Sequence, residues 1–264
     1  MSIRKATARI SPWLRSSVKF QRVNKPAPNW RIHRNNFIRK TSRHILEPGA
    51  INFSAGWLGQ GHAVRFYFAL FNYLFNYPLC QAARFPLLPS ANLRTQIHWG
   101  SNDWIKIAQD LEIFLNLTLS LINPGLFKTG LEMLRRMRNL EDTEEISQRW
   151  QSVYSGISVI SNRSTPSHRD SKGRLEWYDT LVSYAGPGAR PLLTIKDLGL
   201  HLKYSSGTVV GLCGTILEHQ VSSWGVGDRV CYAHFMRENV RERLGVQPAG
   251  WVNQEMYLNN DIDS

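Results

Sequence analysis

Cysteine is scarce in this chain, with three in 264 residues: Cys80, Cys213 and Cys231. No Cys-x-x-Cys pair occurs, which excludes a zinc ribbon and a disulfide framework and fits a reducing compartment. Acid is missing from one end. Residues 1–46 hold no Asp or Glu, and the first 50 carry eight Arg and four Lys against Glu47 alone. That region supplies +11 of the formal net charge of +12, so residues 51–264 are close to neutral and the basicity belongs to an arm. Long apolar runs are missing too. No stretch reaches the roughly 18 apolar residues of a membrane span. The nearest, residues 66–79, is broken by Asn72 and Asn76 and reads as a buried strand or helix, so no membrane partner is expected. The glycines at 49, 56, 59 and 61 lack the strand-to-helix spacing of a dinucleotide fingerprint and read as turns.

What is present supports a packed domain. Hydrophobic residues make up 42% and aromatics 11%, including nine Trp, enough for a sizeable core. The acid-free arm, residues 1–46, reads as a flexible tail that touches phosphates. The same composition suits a nuclear localisation patch or a mitochondrial presequence. The expected location is the nucleus, with the mitochondrion as the alternative.

A helix is expected from residue 102, with Trp104, Ile107, Ala108, Leu111 and Leu115 on one apolar face. Asn123-Pro124-Gly125 ends it. A second helix, residues 126–139, should bury Leu126, Leu131, Leu134 and Met137, with Arg135, Arg136 and Arg138 at its C-terminal end. Residues 141–148 read as a solvated charged link. From Trp150 the texture changes to short strands separated by turn residues, the rhythm of an antiparallel sandwich or barrel. Residues 237–244 read as a short helix. The expected organisation is an arm over 1–46 and a domain over 47–264, with helical support at 102–148 and a β core at 150–244.

The segment Ser-Asn-Arg-Ser-Thr-Pro-Ser-His-Arg-Asp, residues 161–170, carries the first chemical signal. His168 and Asp170 can close on one metal ion from a strand-to-turn segment. His219, on a later strand, completes the two-histidine, one-carboxylate face of non-haem Fe(II) oxygenases, which leaves three positions open on one side. Arg229 follows across a Ser-Ser-Trp-Gly-Val-Gly turn. Its forked, permanent cation suits the far carboxylate of a 2-oxo acid. The plain readings stand beside this: a surface turn capped by Asp170, a structural His219, and Arg229 paired with Asp228 or Asp197.

These residues lie in SNRSTPSHRD, GRLEWYDTLVSYAGPGA, LKYSSGTVVGLCGTILEHQV and WGVGDRVCYAHFMRENVRERLGV. Together the motifs resemble the TET/JBP branch of Fe(II)- and 2-oxoglutarate-dependent DNA dioxygenases, most of all its fungal TET-like members. INFSAGWLGQG and IHWGSNDW extend the resemblance towards the start of the chain. It implies an α+β fold: a double-stranded β-helix (jelly roll) with flanking N-terminal helices. It also implies Fe(II) on His168, Asp170 and His219, and 2-oxoglutarate on Arg229. An Arg163 contact to the cosubstrate is implied as well, and Cys231 stands where the family often has Ser. The implied reaction oxidises 5-methylcytosine in duplex DNA, on a base flipped from the stack, to 5-hydroxymethylcytosine and onward, with N6-methyladenine as a second substrate.

Three more residues are candidates for the substrate side. His234 could contact a base, although strand alternation points it away from Arg229 and Cys231. Trp224 could stack on a base or fill its own turn. Asp179 could accept from a base. The rival functions are a nucleic-acid-binding protein that keeps the fold without turnover, and a hydroxylase of RNA or protein.

Overall fold

The structure is a computed structural model that describes residues 48–58, 87–94, 101–171, 173–186 and 188–258. The basic arm, residues 66–79 and the last six residues lie outside the described set. Leu46–Val252 form one compact unit. Of the second unit, residues 253–258 are described: Asn253 caps a one-turn helix, α6 (Glu255–Leu258), by accepting from the Met256 N–H at 3.1 Å.

In chain order the compact unit begins with β1 (Gly49–Phe53), β2 (Trp57–Leu58), β3 (Leu87–Leu88) and α1 (Ala91–Arg94). Three helices follow: α2 (Ser101–Ile122), α3 (Pro124–Met137) and α4 (Glu144–Arg149). The β core then runs β4 (Gly156–Ser161), β5 (Thr165–His168), β6 (Asp179–Ala185), β7 (Leu192–Ile195), β8 (Leu200–Lys203), β9 (Val209–Leu212), β10 (His219–Val221) and β11 (Arg229–Phe235), before α5 (Glu238–Leu244). A major sheet has the order β1-β4-β11-β6-β9 and a minor sheet β5-β10-β7-β8. The strand pairings in both are antiparallel. Two such sheets and a helical layer make the α+β jelly roll that the strand rhythm and the resemblance implied.

The chain turns from α2 to α3 where the sequence placed the break. Asn123 accepts from the Leu126 N–H at 2.9 Å and Pro124 opens α3, a helix start in which the missing proline donor costs nothing. Helix α3 buries Leu126, Leu134 and Met137 as expected, and Met133 with them. Two of its C-terminal arginines serve neighbours as well. Arg136 donates to Leu244 O and Gly245 O at the end of α5, and Arg138 to Ser147 O and Trp150 O.

Two expectations about helices need correction. Residues 141–148 are not a bare charged link: α4 occupies Glu144–Arg149 and tucks Ile146 and Ser147 into the core. The buried face of α2 is also rotated from the expected one. Ile105, Ala108, Glu112, Leu115 and Leu119 are buried, while Ile107 is 79% exposed. The reason is a polar contact. His234 on β11 meets the Glu112 carboxylate through Nε2 at 2.9 Å, with both side chains buried. The Glu112 carboxylate is a core residue because it has a partner there.

The core is divided unequally. Twenty-one buried residues fill the space between the helices and the major sheet, among them Leu119, Met133, Tyr154, Ile157 and Trp177. Among the described residues, six hydrophobic side chains, including Leu193, Ile195, Leu212 and Cys231, cluster between the two sheets. The inter-sheet space is therefore the one left open for a cavity.

Strand β11 lies between β4 and β6 and faces both layers. Arg229 and Cys231 point to the cavity, whereas Tyr232 and His234 point to the helices, as a two-residue period requires. Removing one member of the Glu112–His234 pair should strand the other in the interior. Glu112→Leu is expected to lower unfolding free energy by about 3–5 kcal/mol in denaturant titrations. The double variant Glu112→Leu/His234→Leu should lose less than that single one. A double variant weaker than the single would show that the pair is not what matters there.

Candidate metal centre

The centre starts from one register. In the ladder of β5 and β10, His219 lies opposite His168. Their rings stand 4.3 Å apart between centroids. Asp170 follows β5 after one residue, and its backbone N–H is held by Gly214 O at 2.9 Å. Its two carboxylate oxygens each face one imidazole: Oδ1 lies 3.7 Å from His168 Nε2, and Oδ2 lies 3.7 Å from His219 Nε2.

The tautomers follow from what the other ring nitrogens touch. His168 Nδ1 is 2.9 Å from Pro166 O, and His219 Nδ1 is 2.9 Å from Leu217 O. A carbonyl only accepts, so Nδ1 carries the hydrogen in both neutral rings. That leaves both Nε2 lone pairs free and aimed at Asp170, the arrangement metal-ligating histidines use. One ligand atom from each of the three residues lies within 4.8 Å of the others. Two neutral nitrogens and one carboxylate oxygen suit a divalent transition metal.

Gly214 makes the approach possible. A Cβ built there would collide with Asp170 Oδ2 and come within 2.9 Å of Asp179 Oδ2. No side chain larger than hydrogen leaves room for the Asp170 carboxylate.

Beside this face lies a cavity of about 180 Å³, with Asp170, Asp179, Tyr204, His219, Arg229 and Arg237 among its lining. Arg229 is buried, with 2% of its surface exposed. Its guanidinium sits 5.3 Å from the Tyr204 ring centroid and 5.8 Å from that of Trp224. Nη1 reaches Arg163 O at 3.4 Å, the guanidinium also touches the Tyr204 hydroxyl and the Cys231 thiol, and among the described residues Nε has no partner. Among the described residues no carboxylate pairs with it. A buried cation without an anion is costly, so this position suits an anionic ligand. Asn162, at φ 42°, pins the Arg229 backbone by accepting its N–H at 2.7 Å and donating its own to Arg229 O at 2.8 Å.

Tyr204 and Cys231 close the floor under Arg229. The Tyr204 hydroxyl lies 3.4 Å from Cys231 Sγ. Burial pushes both the phenol and the thiol above their ordinary values, so both stay protonated and neutral at pH 7.

Asp179 and Arg237 stand beside Asp170, and the Asp179 carboxyl hydrogen-bonds that of Asp170. Burial first, then the Asp170 charge, push the Asp179 carboxyl well above the ordinary range, while Arg237 opposes the shift. Arg237 lies 4.2 Å over the Phe235 ring and 5.7 Å from the Trp57 ring, and its buried Nε has no partner.

The structure thus gathers His168, Asp170, His219, Arg229, Cys231 and Asp179 around one cavity. Three other candidates fall elsewhere. The Arg163 side chain is exposed, and only its carbonyl meets the site. Trp224 donates its indole N–H to Gly227 O at 2.8 Å, which fills its own turn and leaves the ring flanking Arg229. His234 borders the cavity, but both ring nitrogens are engaged, by Glu112 and by Thr180 O, so its expected base contact is corrected to a structural role. Asp228 and Asp197, considered as partners of Arg229, bind Asn162 and Arg169 instead. Tyr204, Gly214 and Arg237 are site residues that the sequence reading missed. Tyr204 and Gly214 stand inside the LKYSSG and LCGT segments, where an aromatic after an exposed strand and a glycine before a turn are the available signals.

A family model described as the oxygenase domain of the 2OGFeDO superfamily, Tet_JBP, matches residues 80–238, more than half of the chain. No curated protein matches. Among solved structures, NgTET1 in complex with 5mC DNA is 11% identical, with 90% of this chain and 77% of that one covered, at a TM-score of 0.50. A cupin 2 conserved barrel domain protein from Salinispora arenicola is 19% identical over 34% of this chain and 69% of that one, at a TM-score of 0.26. The first likeness bears on the fold. The family match runs through the helical layer and through every strand that supplies His168, Asp170, His219 and Arg229, and the chain belongs to the Tet/JBP family of Fe(II)- and 2-oxoglutarate-dependent dioxygenases.

Proposed function

We propose that the chain oxidises the methyl group of 5-methylcytosine in DNA to the hydroxymethyl form and onward, with N6-methyladenine as a second substrate. The observation that carries the reading is a single cavity. It holds a three-donor metal face at one point and a buried, unneutralised Arg229 at another. That pair of features is what Fe(II) and a 2-oxo dicarboxylate require. The family match and the fold likeness to a protein solved with 5mC DNA support the substrate class.

His168 Nε2, one Asp170 oxygen and His219 Nε2 hold the metal, and Arg229 takes the far carboxylate of 2-oxoglutarate through its planar fork. When bound, iron and the oxo acid supply the oxidation of a C–H bond by dioxygen. The chain itself does the rest. Pro166 O and Leu217 O fix the two imidazoles. Tyr204 and Cys231 form a buried, neutral floor that leaves the Arg229 charge for its ligand. The target base must leave the stack to bring its methyl group to the metal. Beside the metal face, Asp179 and Arg237 present one carboxyl and one guanidinium to that base. The carboxylate form accepts from a cytosine amino group, and the guanidinium donates to ring acceptors.

Two measurements test the reading. Incubation with Fe(II), 2-oxoglutarate and 5-methylcytosine duplex should yield 5-hydroxymethylcytosine by mass spectrometry, with succinate in step. His168→Ala should abolish both products. Absence of product and of succinate with any methylated nucleic acid would sink the proposal. Gly214→Ala should weaken Mn(II) binding by at least about tenfold, since the new methyl group displaces the Asp170 carboxylate. Unchanged Mn(II) affinity in that variant would show that Asp170 is not a ligand.

A further inference from the structure

The His168-Arg169-Asp170 turn contains a side chain that the cavity does not use. Alternation along the chain sends Ser167 and Arg169 to the outer face of the minor sheet, and Glu218 likewise stands back from His219. On that face they meet. Arg169 donates through Nε to Ile216 O at 2.7 Å, and through one Nη to both oxygens of Asp197 at 2.8 and 3.1 Å. Asp197 also accepts the backbone N–H of Glu218 at 2.5 Å. Glu218 in turn accepts from Ser167 Oγ at 2.5 Å and from Lys196 Nζ at 2.9 Å. Its carboxyl is held below the ordinary range by the Ser167 hydrogen bond and the Lys196 contact.

The connectivity is what matters. One carboxylate, that of Asp197, grips the residue between two metal donors and also the backbone next to the third. We propose that Arg169, Asp197 and Glu218 form an external brace that sets the spacing between the His168–Asp170 turn and His219, and thereby sets metal affinity. The inference rests on the ligand assignment made above. These are positioning residues: none lines the cavity, and each acts through a residue next to a donor in the chain. Single ion pairs at such exposed positions add little to fold stability, so the network's effect belongs to geometry. A lysine at 169 keeps the charge but loses the fork that spans Ile216 O and Asp197.

The test separates metal binding from folding. Mn(II) affinity of the full chain is followed by loss of the free-ion electron paramagnetic resonance signal, and the metal-free melting temperature is measured alongside. Arg169→Ala and Asp197→Ala should each weaken Mn(II) binding about tenfold, and the double variant should be no weaker than either single one. Arg169→Lys should not restore affinity. Glu218→Gln, which keeps side-chain volume and guards against a folding defect, should shift affinity in the same direction by less. Metal-free melting temperatures should stay within about 2 °C of the parent chain. Parent-like affinity, additive losses, or losses that track the metal-free melting temperature would overturn the brace. His168→Ala keeps the two readings apart. If it binds Mn(II) like the parent, the ligand assignment fails and the brace falls with it. If it does not bind while the brace variants bind normally, only the brace fails.

Discussion

The metal face hangs on one pairing, His219 opposite His168 in a short antiparallel ladder. Side chains alternate with a period of two, so a slip of one residue would turn one imidazole out of the cavity. The register is not left to two strands alone. It shifts between His219 and Val221, where Val221 pairs with Thr165. Thr165-Pro166-Ser167-His168 thus carries an extra residue against β10. Proline is at home in such a bulge because it has no ladder hydrogen to lose. Pro166 then has a second use, since its carbonyl fixes the His168 ring. The irregularity that interrupts the ladder is also what orients the first donor.

Arg229 imposes the second constraint. Removing a guanidinium from water costs several kcal/mol unless an anion or a full set of acceptors replaces it. Here the ring faces of Tyr204 and Trp224, one backbone carbonyl, the Tyr204 hydroxyl and the Cys231 thiol compensate it, and none of them is an anion. The sheet supplies the rigidity that holds so costly a group in place. β11 is bonded on both sides, and Asn162 adopts a left-handed backbone to clamp Arg229 at the strand's start. The stability given up at this point returns as affinity for a carboxylate, which a solvated arginine could not supply to the same degree.

Much of this was legible in the sequence, for identifiable reasons. His168, Asp170, His219 and Arg229 are chemically distinctive types in a fixed order, and the strand rhythm places them at strand ends. The helical turn at Asn123-Pro124 was legible because capping chemistry is local. What escaped depends on partners far along the chain. Glu112 is buried by a histidine 122 residues away, so a periodicity count that treats every carboxylate as exposed rotates α2 the wrong way. Tyr204 gains its role only through Arg229 and Cys231, 25 and 27 residues on. Arg163 shows the converse error: a residue at a familiar spacing supplies its backbone, not its charge.

The cavity is supported by both sheets, and the two supports meet where Asp170 touches Asp179. The metal donors His168 and His219 are carried by the minor sheet and its outer polar network. Asp179 and Arg237 are carried by the major sheet. Asp179 opens β6 next to Thr180, whose carbonyl and hydroxyl contact His234 and Tyr154 against the helices. Arg237 follows β11, with its N–H on Ser155 Oγ and its guanidinium near Trp57 of β2. Few buried side chains bridge the two sheets. Changes in the helical layer therefore reach the donors through Asp179, whose carboxyl hydrogen-bonds Asp170, and changes on the outer minor sheet reach them through the backbone beside His168 and His219.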